Sequence, residues 1–242
     1  MRLPTVRRRY ATAVLALTAL SLTGCSSGHD TDSTGSSASP GATSTAQASP
    51  GASPVAASPS ARPTSIDDWP TTPGPPQNFP VSVPTSVIVK GYTGQSFLKR
   101  LAADWDITLK KRETLTGAGA TVRRVLGEGH PTKDGELTVA AFWDLSGDLK
   151  SLECTTTGNA PRYEEFLRAC TGLDFPGADP KAAATWLDGM KPRVDKVYAK
   201  SKVPIMSPLL RSGPTATSLL KGPYATSGTY ELRVFGTADA EK

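Results

Sequence analysis

The sequence predicts an α+β fold: an antiparallel sheet of about five strands with helices packed on one face, in a single domain at residues 85–237. Several short segments alternate apolar and polar residues, which indicates half-buried strands. Glycine-containing turns separate consecutive strands, as in antiparallel hairpins. Two later segments instead repeat apolar residues every three to four positions, which is typical of amphipathic helices that cover a sheet.

The first half of the domain is predicted to hold one helix and four strands. The helix begins at Thr93 or Gly94, ends near Asp104, and has an apolar stripe made of Phe97, Leu98, Leu101 and Ala102. Strands are expected at 105–113, 121–127, 136–144 and 149–156. Glycines between them supply the turns.

The second half is predicted to hold two helices and a last strand. Pro161 lies in the opening turn of the first helix, at about 161–171. The second helix begins at Asp179-Pro180, and Gly189 and Pro192 should end or kink it. The final strand is expected at 229–235. A short tail, 238–242, follows the domain.

The N-terminus has the parts of an export signal: four arginines, an apolar run from Ala11 to Leu22, and small residues before Cys25. The run is too short to cross a bilayer, which needs about 20 residues. Leu22-Thr23-Gly24-Cys25 resembles the lipobox of bacterial lipoproteins. The resemblance implies a signal peptide at 1–24, lipid attachment at Cys25, and a location on the extracytoplasmic side of the cell membrane. The alternative is an ordinary secretory signal that happens to end in cysteine.

Residues 25–65 are predicted to be a disordered tether. Of residues 26–65, 34 are Ser, Thr, Ala, Gly or Pro. A segment of this composition has too little apolar surface to bury for it to fold. This composition beside a lipobox is similar to lipoproteins of GC-rich Gram-positive bacteria. A Pro-rich arm at 66–84 follows, with Trp69 and Phe79 as its apolar anchors. The arm either presents these rings to a partner or packs them on its own domain, and the second interpretation is favoured.

Two cysteines remain once Cys25 is assigned to lipid. Cys154 ends a predicted strand and Cys170 ends the following helix. An even pair in an extracytoplasmic protein predicts a disulfide between them. Two separate buried thiols are the alternative.

Charge and motifs narrow the possible functions. Removing the four arginines of the signal lowers the formal charge from +5 to +1, so nucleic acid is not an expected partner. The two histidines, His29 and His130, are too few for a zinc-binding spacing, and no nucleophile elbow, P-loop or dinucleotide motif occurs. The sequence therefore predicts no catalytic residue, no metal site and no cofactor.

One cationic patch is a candidate binding surface. If 105–113 pairs with 119–127, Lys110, Arg112 and Arg123 share one solvent-facing side of the hairpin. Such a patch could bind anionic headgroups, wall phosphate polymers or an acidic protein. An ordinary charged hairpin face is the alternative.

The expected function is that of a binding or interaction module of the cell envelope. Its partners would be the membrane, through lipid on Cys25, and another envelope protein or a small ligand. An envelope hydrolase with a carboxylate site is the second hypothesis, and a deep cleft lined by carboxylates would favour it. A protein inhibitor is the third, and an exposed aromatic patch would favour that.

Overall fold

The computed structural model describes residues 65–80, 85–117, 120–223 and 228–237. The expectations for the signal segment, Cys25, the tether before residue 65 and the tail at 238–242 fall outside these residues. The described part forms one domain built on a single antiparallel sheet.

The sheet has nine strands in the described residues, where about five were predicted. Their spatial order is β1-β3-β4-β5-β9-β8-β6, while β2 also pairs with β3 and β7 also pairs with β8. In chain order they are β1 (Thr108–Leu109), β2 (Glu113–Gly117), β3 (Ala120–Gly129), β4 (Leu137–Trp143), β5 (Leu149–Thr157), β6 (Ile205–Met206), β7 (Leu210–Ser212), β8 (Thr215–Gly222) and β9 (Thr229–Gly236).

Strand β8 escapes prediction because its sequence does not alternate. It reads Thr-Ala-Thr-Ser-Leu-Leu-Lys-Gly, and its first five residues are all buried. Burial on both sides of a strand removes the period-two signal. The short strands β6 and β7 pair only with β8, so they were missed with it.

The predicted strand at 105–113 is two short strands. Glu113 lies four positions after Leu109, but their partners Gly127 and Arg124 are only three positions apart. One extra residue in one strand of a pair is a β-bulge, and it reverses which side the following residues face. The residues before and after this bulge therefore point to opposite sides of the sheet.

Three helices accompany the sheet: α1 (Gln95–Asp104), α2 (Tyr163–Cys170) and α3 (Pro180–Ser201). Asp179 caps α3 by accepting a hydrogen bond from the Ala182 amide at 2.9 Å. The helix runs for 22 residues through Gly189 and Pro192, so of the two predicted outcomes, an end or a kink, the helix does not end there. Buried residues lie on both sides of Pro192, and their packing on the sheet offsets the lost backbone hydrogen bond.

All three helices pack on one face of the sheet. Phe97, Phe166 and Leu187 represent the three helices in the main core. The strand residues of that core include alternate positions that pair with one another: Leu137, Val139, Ala141, Trp143, Leu152, Cys154, Tyr230, Leu232, Val234 and Leu219. The predicted helix-on-sheet arrangement is confirmed in this coarse form.

The Pro-rich arm packs on its own domain. Phe79 is fully buried, and the Trp69 ring lies edge-on to it at 5.4 Å. Trp69 Nε1 donates to the carbonyl of Ser207 at 3.0 Å, and Gly74 forms a bridge with Met206. The arm thereby protects the β6 edge of the sheet from pairing with another chain.

A disulfide joins Cys154 in the centre of the sheet to Cys170 at the end of α2. Their Cα atoms are 6.4 Å apart and both side chains are fully buried. The bond fixes α2 on the strand that precedes it.

Replacing both cysteines with alanine should lower the free energy of unfolding by about 3 kcal/mol, because the closed loop of about 15 residues no longer restricts the unfolded chain. Urea unfolding measures this loss. The unmodified protein under reducing conditions is the control and should lose a similar amount. Equal midpoints with and without reductant would show that the bond does not form.

Candidate functional site

The side of the sheet away from the helices carries a largely polar surface. We call it the open face and define it by eight half-buried residues of β3, β4, β5 and β9. They form two rows across the strands: Leu126, Ala140, Glu153 and Arg233 in one, and Glu128, Thr138, Thr155 and Glu231 in the other. None of the three helices covers this surface.

Glu153 and Arg233 face each other across β5 and β9. Arg233 Nε lies 3.1 Å from Glu153 Oε1, but the angle is too poor for a hydrogen bond, and this buried nitrogen has no other partner. The guanidinium also lies over the Phe235 ring at 5.3 Å. Burial raises the pKa of Glu153, and neighbouring Glu231 adds to the rise, while Arg233 opposes it. The pair is held in place but not fully hydrogen-bonded.

Glu231 makes no ion pair with any described residue. Burial raises the pKa of its carboxyl, and Arg233 offsets only part of the rise. A half-buried carboxylate without a hydrogen-bonded partner destabilises the domain that carries it. Glu231 is therefore the least compensated charge on the open face.

A shallow groove borders the open face. It has a volume of about 250 Å³ and is lined by Glu136, Thr138, Thr155, Thr156, Thr157 and Thr229. The Thr138 hydroxyl donates to Glu136 Oε1 at 3.2 Å, and Thr157 Oγ1 accepts from the Glu136 amide at 3.0 Å. Several of its hydroxyl groups are thus already used within the protein.

A second charged cluster lies on the helix side of the sheet. Asp195 on α3 accepts from Lys221 and Tyr230 through Oδ1, at 2.8 and 2.7 Å, and from Lys191 through Oδ2 at 2.9 Å. Lys191 also pairs with Glu164 on α2 at 2.9 Å. The cluster ties α2, α3, β8 and β9 together.

The pKa shifts in this cluster argue against acid–base catalysis. Burial works to lower the pKa of Lys191, but hydrogen bonds with Glu164, Tyr163 and Asp195 raise it overall. Burial works to raise the pKa of Asp195, but hydrogen bonds from Lys221, Tyr230 and Lys191 lower it overall. Burial and Asp195 both raise the pKa of Tyr230. The pKa of each group is thus shifted further from pH 7, whereas a catalytic acid or base needs a pKa near the working pH.

The bulge separates the three cations of the predicted patch. Lys110 follows β1 and forms an ion pair with Glu128 on the open face. Arg112 lies over the Trp143 ring at 4.5 Å, and Arg123 is the cross-strand partner of Trp143. The structure thus places Arg112 and Arg123 together, on the helix side of the sheet, and Lys110 on the other side.

Three further observations on the described residues bear on the inhibitor, metal-site and membrane hypotheses. The large exposed apolar side chains of this part of the chain are Leu145 and Val203, and neither is aromatic. No group of three or more histidine, cysteine, aspartate or glutamate side chains in this part of the chain is arranged to hold a metal ion. None of the helices described is both long and apolar enough to span a membrane.

Comparison of the chain with protein-family profiles, with curated proteins and with solved structures finds no match.

The residues of the open face were not singled out from the sequence. Glu231 and Arg233 alternate with apolar residues in the last predicted strand, and the polar side of such a strand is ordinarily solvated. The available signal was the pattern of opposite charges at polar positions of two strands. It becomes useful only when the pairing of β5 with β9 is known.

Replacing Asp195 with asparagine should lower the free energy of unfolding by about 2 kcal/mol at pH 7, because Lys191 and Lys221 lose a shared anion. The pKa of Asp195 is lowered in the folded state, so its stabilisation is present above the unfolded pKa of about 3.9 and disappears as the pH falls through the folded pKa. Urea unfolding at pH 7 and at pH 3 measures both effects.

Asp188→Asn is the matched control on the same helix. Asp188 pairs with Arg168, but both side chains are about half exposed, so the loss should stay under about 1 kcal/mol. Equal losses for the two variants would contradict a special role for the Asp195 cluster.

Proposed function

We propose that this protein is a lipoprotein of the cell membrane, held by lipid on Cys25 and facing the extracytoplasmic side, whose domain binds another envelope protein through the open face. The observation that carries the proposal is Glu231, a half-buried carboxylate with a raised pKa and no ion pair among the described residues. A partner that brings a cation to Glu231 would offset the unfavourable free energy of burying its unpaired charge.

The shape of the open face favours a protein partner over a small molecule. Small-molecule sites are usually concave pockets of roughly 300–1,000 Å³ that enclose most of the ligand. The groove at the open face has only about 250 Å³ and is bordered by an extended sheet surface. Such a surface suits a second surface of similar extent.

The charges of the open face can provide specificity. Its one cation, Arg233, pairs with Glu153, and two further ion pairs lie on the same side of the sheet: Arg124 with Glu113, and Lys110 with Glu128. Glu231 adds one uncompensated negative charge. Complementary charge guides association and selects the partner, so the proposed partner presents a lysine or arginine at this position.

The N-terminal segments support the location. The sequence Leu22-Thr23-Gly24-Cys25 matches the lipobox pattern position by position. A tether of about 40 residues has a typical reach of roughly 35 Å, which would place the domain beyond the lipid headgroups. The arm then contacts the domain at Trp69, whose Nε1 donates to the carbonyl of Ser207.

A carboxylate-based hydrolase is the second candidate, because Glu153 and Glu231 both have a raised pKa and lie on adjacent strands. A raised pKa keeps a carboxyl group protonated at higher pH, as a general acid requires. The contact between Glu153 and Arg233 favours binding, and neither carboxylate lines the groove that borders the open face. Glu153→Gln would abolish hydrolysis of an envelope polymer if the second candidate is right.

Cross-linking in the protein's own cells tests the proposal. The lipidated protein should capture one stoichiometric protein, and a secreted Cys25→Ser form should lose it. Glu231→Gln should weaken the capture about 10-fold, as expected for removal of a charged contact. Glu165→Gln, an exposed carboxylate on α2, is the control and should capture normally. Undiminished capture by Glu231→Gln would exclude the open face as the contact surface.

The same substitution should stabilise the isolated protein. Because burial raises the pKa of Glu231 in the folded state, its charged form opposes folding, and Glu231→Gln should add on the order of 1 kcal/mol to the free energy of unfolding at pH 7. The gain should appear as the pH rises above the unfolded pKa of about 4.3 and should be absent below it. Thermal unfolding across pH 3–7 measures it. A loss of stability at pH 7 would mean that Glu231 is already compensated within the domain.

A further inference from the structure

Arg112 and Arg123 both adjoin Trp143, at the end of β4. The Arg112 guanidinium is 4.5 Å from the centre of the Trp143 ring, and Arg123 is the register partner of Trp143 on β3. Trp143 is fully buried, and its Nε1 donates to the carbonyl of Thr93 at 2.6 Å. The tryptophan is therefore a fixed support for the cationic group beside it.

These two arginines differ from their neighbours in having no acidic partner in the described part of the chain. The adjacent Arg124 pairs with Glu113, and Lys110 pairs with Glu128. A guanidinium stacked on an aromatic ring still has its N–H groups along its edge free to donate. Arg123, beside the same tryptophan in the register, supplies a second guanidinium, and two guanidinium groups at one residue suit a phosphate, which accepts paired hydrogen bonds from arginine.

The turn from β4 to β5 carries an exposed apolar side chain close in sequence to Trp143. Leu145 follows Trp143 by two residues and is 56% exposed. Asp144, in the same turn, accepts hydrogen bonds from the Ser146 hydroxyl and from the amides of Gly147 and Asp148 at 2.7–2.9 Å. These bonds lower the pKa of Asp144 against the effect of its burial and direct its carboxylate into the turn. Asp148 is the other acidic residue of the turn.

We propose that Arg112, Arg123 and Leu145 form a membrane contact in which the arginines bind the phosphates of anionic lipid headgroups and Leu145 enters the interface. Cations beside a protruding apolar side chain are the combination that binds an anionic bilayer surface. A free phosphate would use the arginines but not Leu145. The inference rests on the proposed membrane location, and it is independent of protein binding at the open face.

The register allows both contacts in one molecule. Arg123 belongs to the helix side of β3, and Leu126 and Glu128 of the same strand belong to the open face. A domain resting on headgroups through Arg112 and Arg123 therefore keeps the open face available. Membrane contact would orient the domain and limit the volume that its tether lets it sample.

Binding of the secreted Cys25→Ser form to vesicles tests the inference. The probes are vesicles of phosphatidylglycerol and phosphatidylcholine, and vesicles of phosphatidylcholine alone. Binding is expected only to the first, and it should weaken as salt screens the charges. The double variant Arg112→Gln, Arg123→Gln should reduce the partition coefficient about 30-fold, since each cation near an anionic surface contributes about a 5-fold gain.

Two further variants separate this site from general charge effects. Lys196→Gln with Lys200→Gln removes the same net charge from an exposed part of α3 and should change binding by less than about 3-fold. Leu145→Ser removes the exposed apolar group and should reduce binding about 5-fold. Circular dichroism confirms folding, and Leu145→Ser alters only an exposed turn residue.

Three results would overturn the inference. The first is equal loss in the lysine and arginine double variants, which indicates unspecific attraction. The second is unchanged binding by the arginine double variant. The third is unchanged binding by Leu145→Ser together with displacement by inorganic phosphate at constant ionic strength, which indicates a free-phosphate site. Glu231→Gln should bind vesicles as the parent does, so this test does not depend on the proposed protein partner.

Discussion

The coverage of only one side of the sheet by helices is the constraint on which the other features depend. Side chains of β-strands alternate between two sides, so the apolar core on one side leaves a second surface of the same size. In this protein the arm pairs with Met206 at one edge of the sheet, while Glu153, Glu231 and Arg233 occupy that second surface at partial burial. Charges at partial burial are costly when they lack full partners, which is why the open face is the candidate site.

The two charged clusters differ in how completely they are satisfied. Asp195 accepts hydrogen bonds from three donors. The pKa of Asp195 is lowered, which favours its charged form, and the pKa values of Lys191 and Tyr230 are raised, which favours a charged lysine and a neutral tyrosine. These are the forms that the hydrogen bonds of the cluster require. Glu231 has no such donors, and its pKa is raised. The first pattern stabilises the packing of α3 on the sheet. The second is typical of a surface whose remaining contact comes from another molecule.

The sequence predicted what depends on local periodicity and missed what depends on strand pairing. The alternation at 136–144 and 229–235 correctly predicts β4 and β9, and the pair Asp179-Pro180 correctly predicts the start of α3. Strand β8 is buried on both sides, so it lacks the pattern. The bulge between Leu109 and Glu113 cannot be deduced from one strand alone, and it decides which cations share a side. The open face likewise exists only through the pairing of distant strands.

A photo-cross-linking amino acid placed on the open face tests the central claim most directly. At Thr155, between Thr138 and Glu231 in the register, it should join the protein to a single partner in cells, and Glu231→Gln should diminish that product. The same group at Lys196, exposed on α3, should give no such product. A product of equal yield at Lys196, or none at Thr155, would contradict the account of the open face as the binding surface.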